Sequence, residues 1–241
     1  MKLLVLDLEM NLNQDDGNSP TSVTTDIIQI GACVLDTSNG EITDTFERLV
    51  SLRTAMDNGE LRLSKFIEKL TGIKQSNIDE DGVDFLDAYD DLIDFAKKNE
   101  VLNIPVTWGS GDMDEIYYQI DNSRNYFITE VEPEKMKKYT FKVLRFNNVV
   151  DGKNVLQPHN TYERKVDYFF GTARPARVFD AKKMYQLFMI MNGKKYRGGL
   201  RTACNKFGLT VEANKSYHNA LTDAIQTAKI FYKLSEQMRK K

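Results

Sequence analysis

The sequence predicts a mixed α/β fold. A β-sheet whose first three strands run antiparallel is flanked by α-helices and carries an inserted β-rich segment at about 122–177. Three observations support this. Residues 3–51 hold three strand-like runs joined by turn signals. Most later segments repeat apolar residues at the helical period and close on glycine. The stretch from about Asn122 to Arg177 follows neither rhythm.

Leu3–Met10 is a short apolar run, as expected of a buried central strand. Asp26–Leu35 is rich in β-branched residues, Glu41–Ser51 alternates, and Ser38-Asn39-Gly40 supplies the hairpin turn between them. A polar loop, Asn13–Thr25, separates the first two strands. Leu63–Leu70 reads as a helix that stops at Thr71-Gly72. In Phe85–Lys98 the residues Phe85, Leu86, Tyr89, Leu92, Ile93 and Ala96 share one helical face, and Asp84 stands where an N-cap belongs. Pro105–Gly109 reads as a fourth strand with its exit, and Asp112–Ile120 as a helix. Val178–Met191, closed by Asn192-Gly193, and Leu200–Phe207, closed by Gly208, read as two further helices. The last runs from about Asn219 towards Met238, with Ala220, Leu221, Ala224, Ile225, Ala228 and Phe231 facing inward. In the inserted stretch Lys and Arg outnumber Asp and Glu. Thr140–Val150 and Asp167–Phe170 are β-like runs there, around a turn at Val150–Lys153.

A chain of 241 residues with 41 % hydrophobic content can bury the core of one large α/β domain, so 1–241 is read as a single domain with its insertion. A net charge of −2 excludes the global positive field of a tight non-specific nucleic-acid binder. It does not exclude an enzyme that holds a few nucleotides. Cys33 and Cys204 lie in apolar patterns, as buried free thiols in a reducing compartment do. The first apolar run is broken at Asp7, too short for a signal-peptide core, and no window reaches the length of a membrane span. A soluble, cytoplasmic protein with no membrane partner is expected.

Asp7 and Glu9 are two apart on a strand and project to one face. Carboxylates paired on a buried strand repel each other and lose hydration unless a cation neutralises them. Their oxygens are hard ligands that suit Mg²⁺ or Mn²⁺ rather than zinc. Alone, an Asp-x-Glu triplet arises about once by chance in a chain of this size, and it also reads as a solvent-facing strand end. Asp112 follows Trp108-Gly109-Ser110-Gly111 at a helix start, where an acid is also ordinary helix chemistry. Asp114, two residues on, competes with it for any role. Asp223 lies one turn into the last helix, beside its apolar stripe rather than opposite it. His218 just precedes that helix; the chain's other histidine, His159, reads as a surface residue. A lone histidine is commonly a surface or satisfied core residue. The set carries more than its members. Four acids and a histidine fall on the first strand, the post-strand helix and the last helix, as a carboxylate metal cage with a histidine base requires. That is the chemistry of phosphodiester hydrolysis.

These motifs resemble the DEDDh group of 3′–5′ exonucleases, within the ribonuclease H-like superfamily, over about 1–120 and 178–235. Leu6-Asp7-Leu8-Glu9 looks like the first motif, and Asp26-Ile27-Ile28-Gln29-Ile30-Gly31-Ala32 is similar to the second strand, with Asp where Glu is usual. Phe66–Ile73 resembles the Leu-Thr-Gly-Ile helix end. Thr107–Met113 resembles the second motif of the RNA-trimming branch, which places the third ligand at Asp112; the apolar residue four positions later is Ile116, whereas from Asp114 it would be Tyr118. His218 to Asp223 is similar to the third motif, His-x4-Asp; the sister class has Tyr where this chain has Asn219. The inserted segment lies outside the resemblance.

The resemblance implies a ribonuclease H-like mixed sheet and two Mg²⁺ ions, with Mn²⁺ able to substitute. Asp7 would bridge the ions, Glu9, Asp112 and Asp223 would complete their shells, and His218 would act as general base. The implied partner is a single-stranded RNA or DNA 3′ end, RNA favoured, with a nucleoside 5′-monophosphate as product. DNA proofreading or repair, and a catalytically silent binding module of the same fold, stay open. Met10, after the acidic pair, reads equally as a contact to the terminal nucleotide and as a core residue. Tyr162, Tyr168, Phe169 and Phe170 with Arg164, Lys165, Arg174 and Arg177 read as a stacking and phosphate-binding surface or, more simply, as half-buried hairpin packing.

Overall fold

A computed structural model of the protein describes residues 1–11, 26–52, 62–124, 130–150, 153–169, 177–196, 198–211 and 216–239. The expected Asn13–Thr25 loop, the middle of the Val150–Lys153 turn, Phe170 and Arg174 lie outside the described residues. Two compact units divide the chain, 1–119 with 168–241, and 120–167.

The larger unit is built on a five-stranded sheet of order β3-β2-β1-β4-β7, with β1 Lys2–Asn11, β2 Asp26–Asp36, β3 Ile42–Leu49, β4 Val106–Thr107 and β7 Phe179–Asp180. β1 pairs antiparallel with β2, and β2 with β3. β4 joins β1 in parallel and β7 joins β4 in parallel, so the sheet is mixed. Every residue of β2 except Asp36 is buried, which requires cover on both faces. The helices supply it: α1 Lys65–Thr71, α2 Gln75–Asp81, α3 Phe85–Lys98, α4 Gly111–Arg124, α5 Ala181–Met191, α6 Leu200–Lys206 and α7 Ala220–Arg239. On one side Ala224, Ala228 and Phe231 of α7 pack with Leu3, Val5, Cys33 and Leu35 of β1 and β2. Among the described residues no helix is long and apolar enough to cross a membrane.

Local chemistry sets the element ends. The Ser64 side chain caps α1 by accepting from the Ile67 N–H, and Gly72 ends that helix at φ 79°, where a side chain would be strained. Asp84 caps α3 as expected, its carboxylate accepting from the Leu86 N–H at 2.8 Å. Phe95 of α3 meets Phe46 of β3 at 5.5 Å between ring centroids.

Two expectations need correction, and one helix was not anticipated. The helix expected at Val178–Met191 begins only at Ala181, because Phe179 and Asp180 pair with Val106 and Thr107 as β7. Two residues carry no period, and the Asp180 carboxylate, accepting from the Lys183 N–H at 2.9 Å, marks the true helix start. Helix α2 is absent from the sequence reading because it buries only Ile78 in an otherwise polar run. Asp167–Phe170 is no strand over its described residues. Tyr168 packs edge-on against Tyr117 at 5.6 Å, and Phe169 against Tyr89 at 6.3 Å, all within the larger unit.

The smaller unit, 120–167, holds a 3₁₀ turn at Pro133–Lys138 and a hairpin of β5 Tyr139–Val150 with β6 Lys153–Arg164. The two strands pair from Tyr139↔Arg164 to Val150↔Lys153 without a register shift. Lys142 and Glu163 form an ion pair across it, and the Phe141 and Tyr162 rings meet at 5.5 Å. The unit ends ten residues before the expected boundary near 177, because Tyr168 and Phe169 are anchored elsewhere.

Gly31 of β2 lies under the first turn of α7. A Cβ built there would fall 2.1 Å from the Leu221 backbone nitrogen and 2.2 Å from the Ala220 carbonyl carbon. Neither is a flexible side-chain end, so relief requires α7 and β2 to separate. Gly31→Ala is expected to cost on the order of 3 kcal/mol in a urea melt; a loss below half of that would mean that α7 does not depend on the contact.

Candidate active site

Asp7 and Glu9 project from one face of β1, as their spacing demands. Across the ladder Asp7 stands opposite Gly31 and Glu9 opposite Gln29. The space left by the missing Gly31 side chain is filled by the Ala220–Leu221 backbone. α7 therefore starts beside the two acids. Asn219 caps it, its side-chain oxygen accepting from the Thr222 N–H at 2.9 Å. One turn in, Asp223 is 9 % exposed. Its Oδ2 accepts from the His218 backbone N–H at 3.2 Å, while its Oδ1 is buried with no hydrogen-bond partner.

His218 holds φ 65°, the left-handed region that a residue with a side chain enters at a cost of about 1–2 kcal/mol. Its imidazole is exposed, and Glu9, His218 and Asp223 offer ligand atoms that all lie within 4.8 Å of one another. Asp7 and Asp112 stand outside this tight group but close enough to act on it electrostatically.

Asp112 lies in the first turn of α4, behind the turn that follows β4. Gly109 in that turn takes φ 115°, and the Thr107 hydroxyl donates to its carbonyl. Trp108 packs against Tyr185 of α5 at 5.9 Å. Asp112, not Asp114, turns towards β1: Asp114 is exposed, and only Asp112 acts on Asp7 and Glu9. The helix face agrees, since Ile116 is fully buried and Tyr118 is 49 % exposed.

The four carboxyl groups make an electrostatically costly site. Burial, then the charges of Asp112, Asp223 and Glu9, raise Asp7 well above the ordinary carboxylate range. Burial, then Asp223 and Asp112, push Glu9 up to about 8. Burial pushes Asp112 up to about 7, with Asp180 and Glu115 adding to it. Burial also raises Asp223 to about 6, against the opposing pull of the His218 N–H. Among the described residues no lysine or arginine forms an ion pair with any of the four. Buried carboxylates without a cation, one oxygen of them orphaned, fit a divalent metal with a preference for oxygen ligands, Mg²⁺ or Mn²⁺.

Met10 is half-buried beside Glu9, at a register shift in the β1–β2 ladder. Of the aromatic residues expected to form a stacking surface or hairpin packing, Phe169 is 2 % exposed and Tyr168 is packed edge-on against Tyr117. His159 is exposed on β6. Three residues near the site escaped the sequence reading. Asp180 lies close enough to raise Asp112, and its position before Ala-Lys-Lys was a readable helix-cap signal. Gln29, which lies within the second-strand motif but was given no role, and Glu47, which carried no readable signal, hydrogen-bond to the start of α7.

Glu9 gives the repulsion a measurable sign. Its folded-state value near 8 lies above the ordinary 4.5, so its contribution to stability is complete below pH 4.5 and lost as pH rises through 8. Without metal, Glu9→Gln is expected to melt above the wild type beyond pH 8, by on the order of 5 °C, and level with it below pH 4.5. Added Mg²⁺ or Mn²⁺ should remove the difference by stabilising the wild type. Equal melting of the two proteins at every pH without metal would contradict the raised Glu9 value.

No protein-family model and no curated protein matches the chain. Solved structures do. The nuclease domain of 3′hExo, a DEDDh family member bound to rAMP, is 20 % identical, with a TM-score of 0.63 over 98 % of this chain and 92 % of that one. Cell-death related nuclease 4 (CRN-4) is 16 % identical with a TM-score of 0.62; the match spans 98 % of this chain but 64 % of that one. A 3′-exonuclease in 3′-end-specific recognition of a histone mRNA stem-loop is 21 % identical with a TM-score of 0.59, over 98 % of this chain and 82 % of that one. The chain therefore has the ribonuclease H-like fold of the DEDDh 3′-exonuclease nuclease domain.

Proposed function

We propose that the protein is a metal-dependent 3′–5′ exonuclease that releases nucleoside 5′-monophosphates from single-stranded nucleic acid, with RNA preferred to DNA. The observation that carries this is the cluster of carboxyl groups, with no lysine or arginine ion pair among the described residues and with an exposed histidine within 4.8 Å of two of them. Asp7, Glu9, Asp112 and Asp223 are the residues to hold divalent ions. Bound there, the ions would offset the charge of the scissile phosphate and of the oxygens entering and leaving it.

The chain's own residues do the rest. The His218 imidazole is open to solvent, so it can meet a water molecule and take its proton. The bond broken joins phosphorus to the 3′ oxygen of the penultimate nucleotide, which leaves as a new 3′ end. Met10 offers an apolar surface to the terminal base beside Glu9. Nucleic acid as substrate is supported by the fold's likeness to a nuclease domain bound to rAMP and to an exonuclease recognising an RNA 3′ end.

The test is incubation with 5′- and 3′-labelled RNA and DNA oligomers, with Mg²⁺, Mn²⁺ or chelator. RNA should shorten from its 3′ end faster than DNA, and chelator should stop it. Asp7→Ala and Asp112→Ala should abolish shortening, and His218→Ala should reduce it by about 10²–10⁴-fold, with circular dichroism unchanged. Asp114→Ala should keep most of the activity. Normal shortening by Asp112→Ala beside a dead Asp114→Ala would move the third ligand. An inert wild type with either metal would refute the reading and leave a binding module of this fold.

A further inference from the structure

We infer that Glu47 and Gln29 form a polar clamp that positions His218, acting through Asn219 and Ala220 and touching no substrate. The geometry stands by itself; its consequence for rate rests on the exonuclease reading above.

His218 is exposed, and among the described residues no hydrogen bond reaches its ring. Its place is therefore set by its backbone, and that backbone lies in the left-handed region, where a side chain is unfavourable. Such a conformation persists only where its flanks are held. On the C-terminal side the Asn219 side-chain amide donates to Glu47 Oε1 at 2.9 Å. The Ala220 backbone N–H donates to Gln29 Oε1 at 3.0 Å. The Gln29 amide in turn donates to the same Glu47 oxygen at 2.9 Å, so one carboxylate oxygen ties both contacts together. Two donors on one carboxylate make charge-assisted bonds, stronger than neutral ones.

The sheet explains why these residues can meet. Gly31 stands opposite both Asp7 on β1 and Glu47 on β3, so the three share one row across the sheet. Gln29 stands opposite Glu9, in the next row. The first turn of α7 fills the gap above Gly31, between the candidate metal ligands and Glu47. The clamp thus fixes the His218 segment on the far side from the acids, while the Asp223 carboxylate fixes it on the near side. An exposed Glu on an edge strand is ordinarily only a solubilising residue. This one accepts from two amides. A cavity of about 510 Å³ lined by Gln29, Glu47 and Asn219 opens behind it, so truncating Glu47 admits water and leaves no dry void.

Asn219 has two jobs, and they separate. Its oxygen caps α7 and its amide reaches Glu47. Asn219→Asp keeps the cap, since Asp caps as well as Asn, but loses the amide and sets two carboxylates against each other. It should melt within a few degrees of the wild type yet lose kcat on the order of 10- to 100-fold at nearly constant KM. Glu47→Ala should do the same. Combining Asn219→Asp with Glu47→Gln reverses the polarity of the contact: the new amide can donate to the new carboxylate while its oxygen still accepts from Gln29. The double variant should recover most of the lost kcat. A metal-free readout accompanies these. The chain has two histidines, so in a His159→Gln background the ring signal belongs to His218. Its NMR relaxation should report a more mobile ring in Glu47→Ala and Asn219→Asp, and a restored one in the double variant.

If Asn219→Asp and Glu47→Ala keep wild-type kcat while His218→Ala is slowed as above, the clamp is wrong and the exonuclease reading stands. A loss in Asn219→Asp that the double variant does not recover also overturns the clamp. If the wild type shortens no oligomer, the exonuclease reading fails and the relaxation decides alone: unchanged ring motion in Glu47→Ala removes the clamp, and increased motion supports it.

Discussion

The approach of the first turn of α7 to β2 at Gly31 is the contact on which the rest depends. Asp7 and Glu9 come from the start of the chain, and His218 and Asp223 from near its other end. They meet because a backbone can lie on a backbone where β2 has no side chain. The apolar face of α7 then locks the helix over β1 and β2, and Asn219 caps its first turn while Glu47 and Gln29 hydrogen-bond to it. Packing at the glycine and chemistry at the acids are one arrangement seen from two sides of the sheet row.

That arrangement is built against its own electrostatics. Four carboxyl groups are held in a partly dry space in which each raises the proton affinity of its neighbours or has its own raised by burial. The hydrophobic packing of β1, β2 and α7 supplies the stability that holds them there. A site of this kind favours any ligand that brings positive charge and accepts oxygen donors. Burial and repulsion together make these carboxyl groups costly to ionise, and a bound cation would relieve that cost and so link binding to folding.

Much of this is legible in the amino-acid pattern alone. Alternation places Asp7 and Glu9 on one face; the 3.6-residue period gives α3 to the residue, with Asp84 as its cap. The preference for Asp112 over Asp114 comes from the resemblance, which asks for an apolar residue four positions after the acid; Ile116 is buried and Tyr118 is exposed. Misses fall where the signal is short or polar. β7 has two residues, α2 buries one side chain, and the hairpin partner Lys153–Arg164 has weak alternation broken by Pro158. Asp167–Phe170 resembles a strand because its aromatics suit one, but their partners Tyr117 and Tyr89 are far away in sequence.

Which residue types the candidate site contains, and which faces of β1 and α7 carry them, can be read from alternation and helical period, because these are local properties of the chain. Their distances, the left-handed turn at His218 and the hydrogen bonds of Glu47 and Gln29 to the start of α7 arise in the assembled fold. Those depend on the register of β1, β2 and β3 and on where α7 lands, contacts between residues up to 191 positions apart that no local pattern encodes.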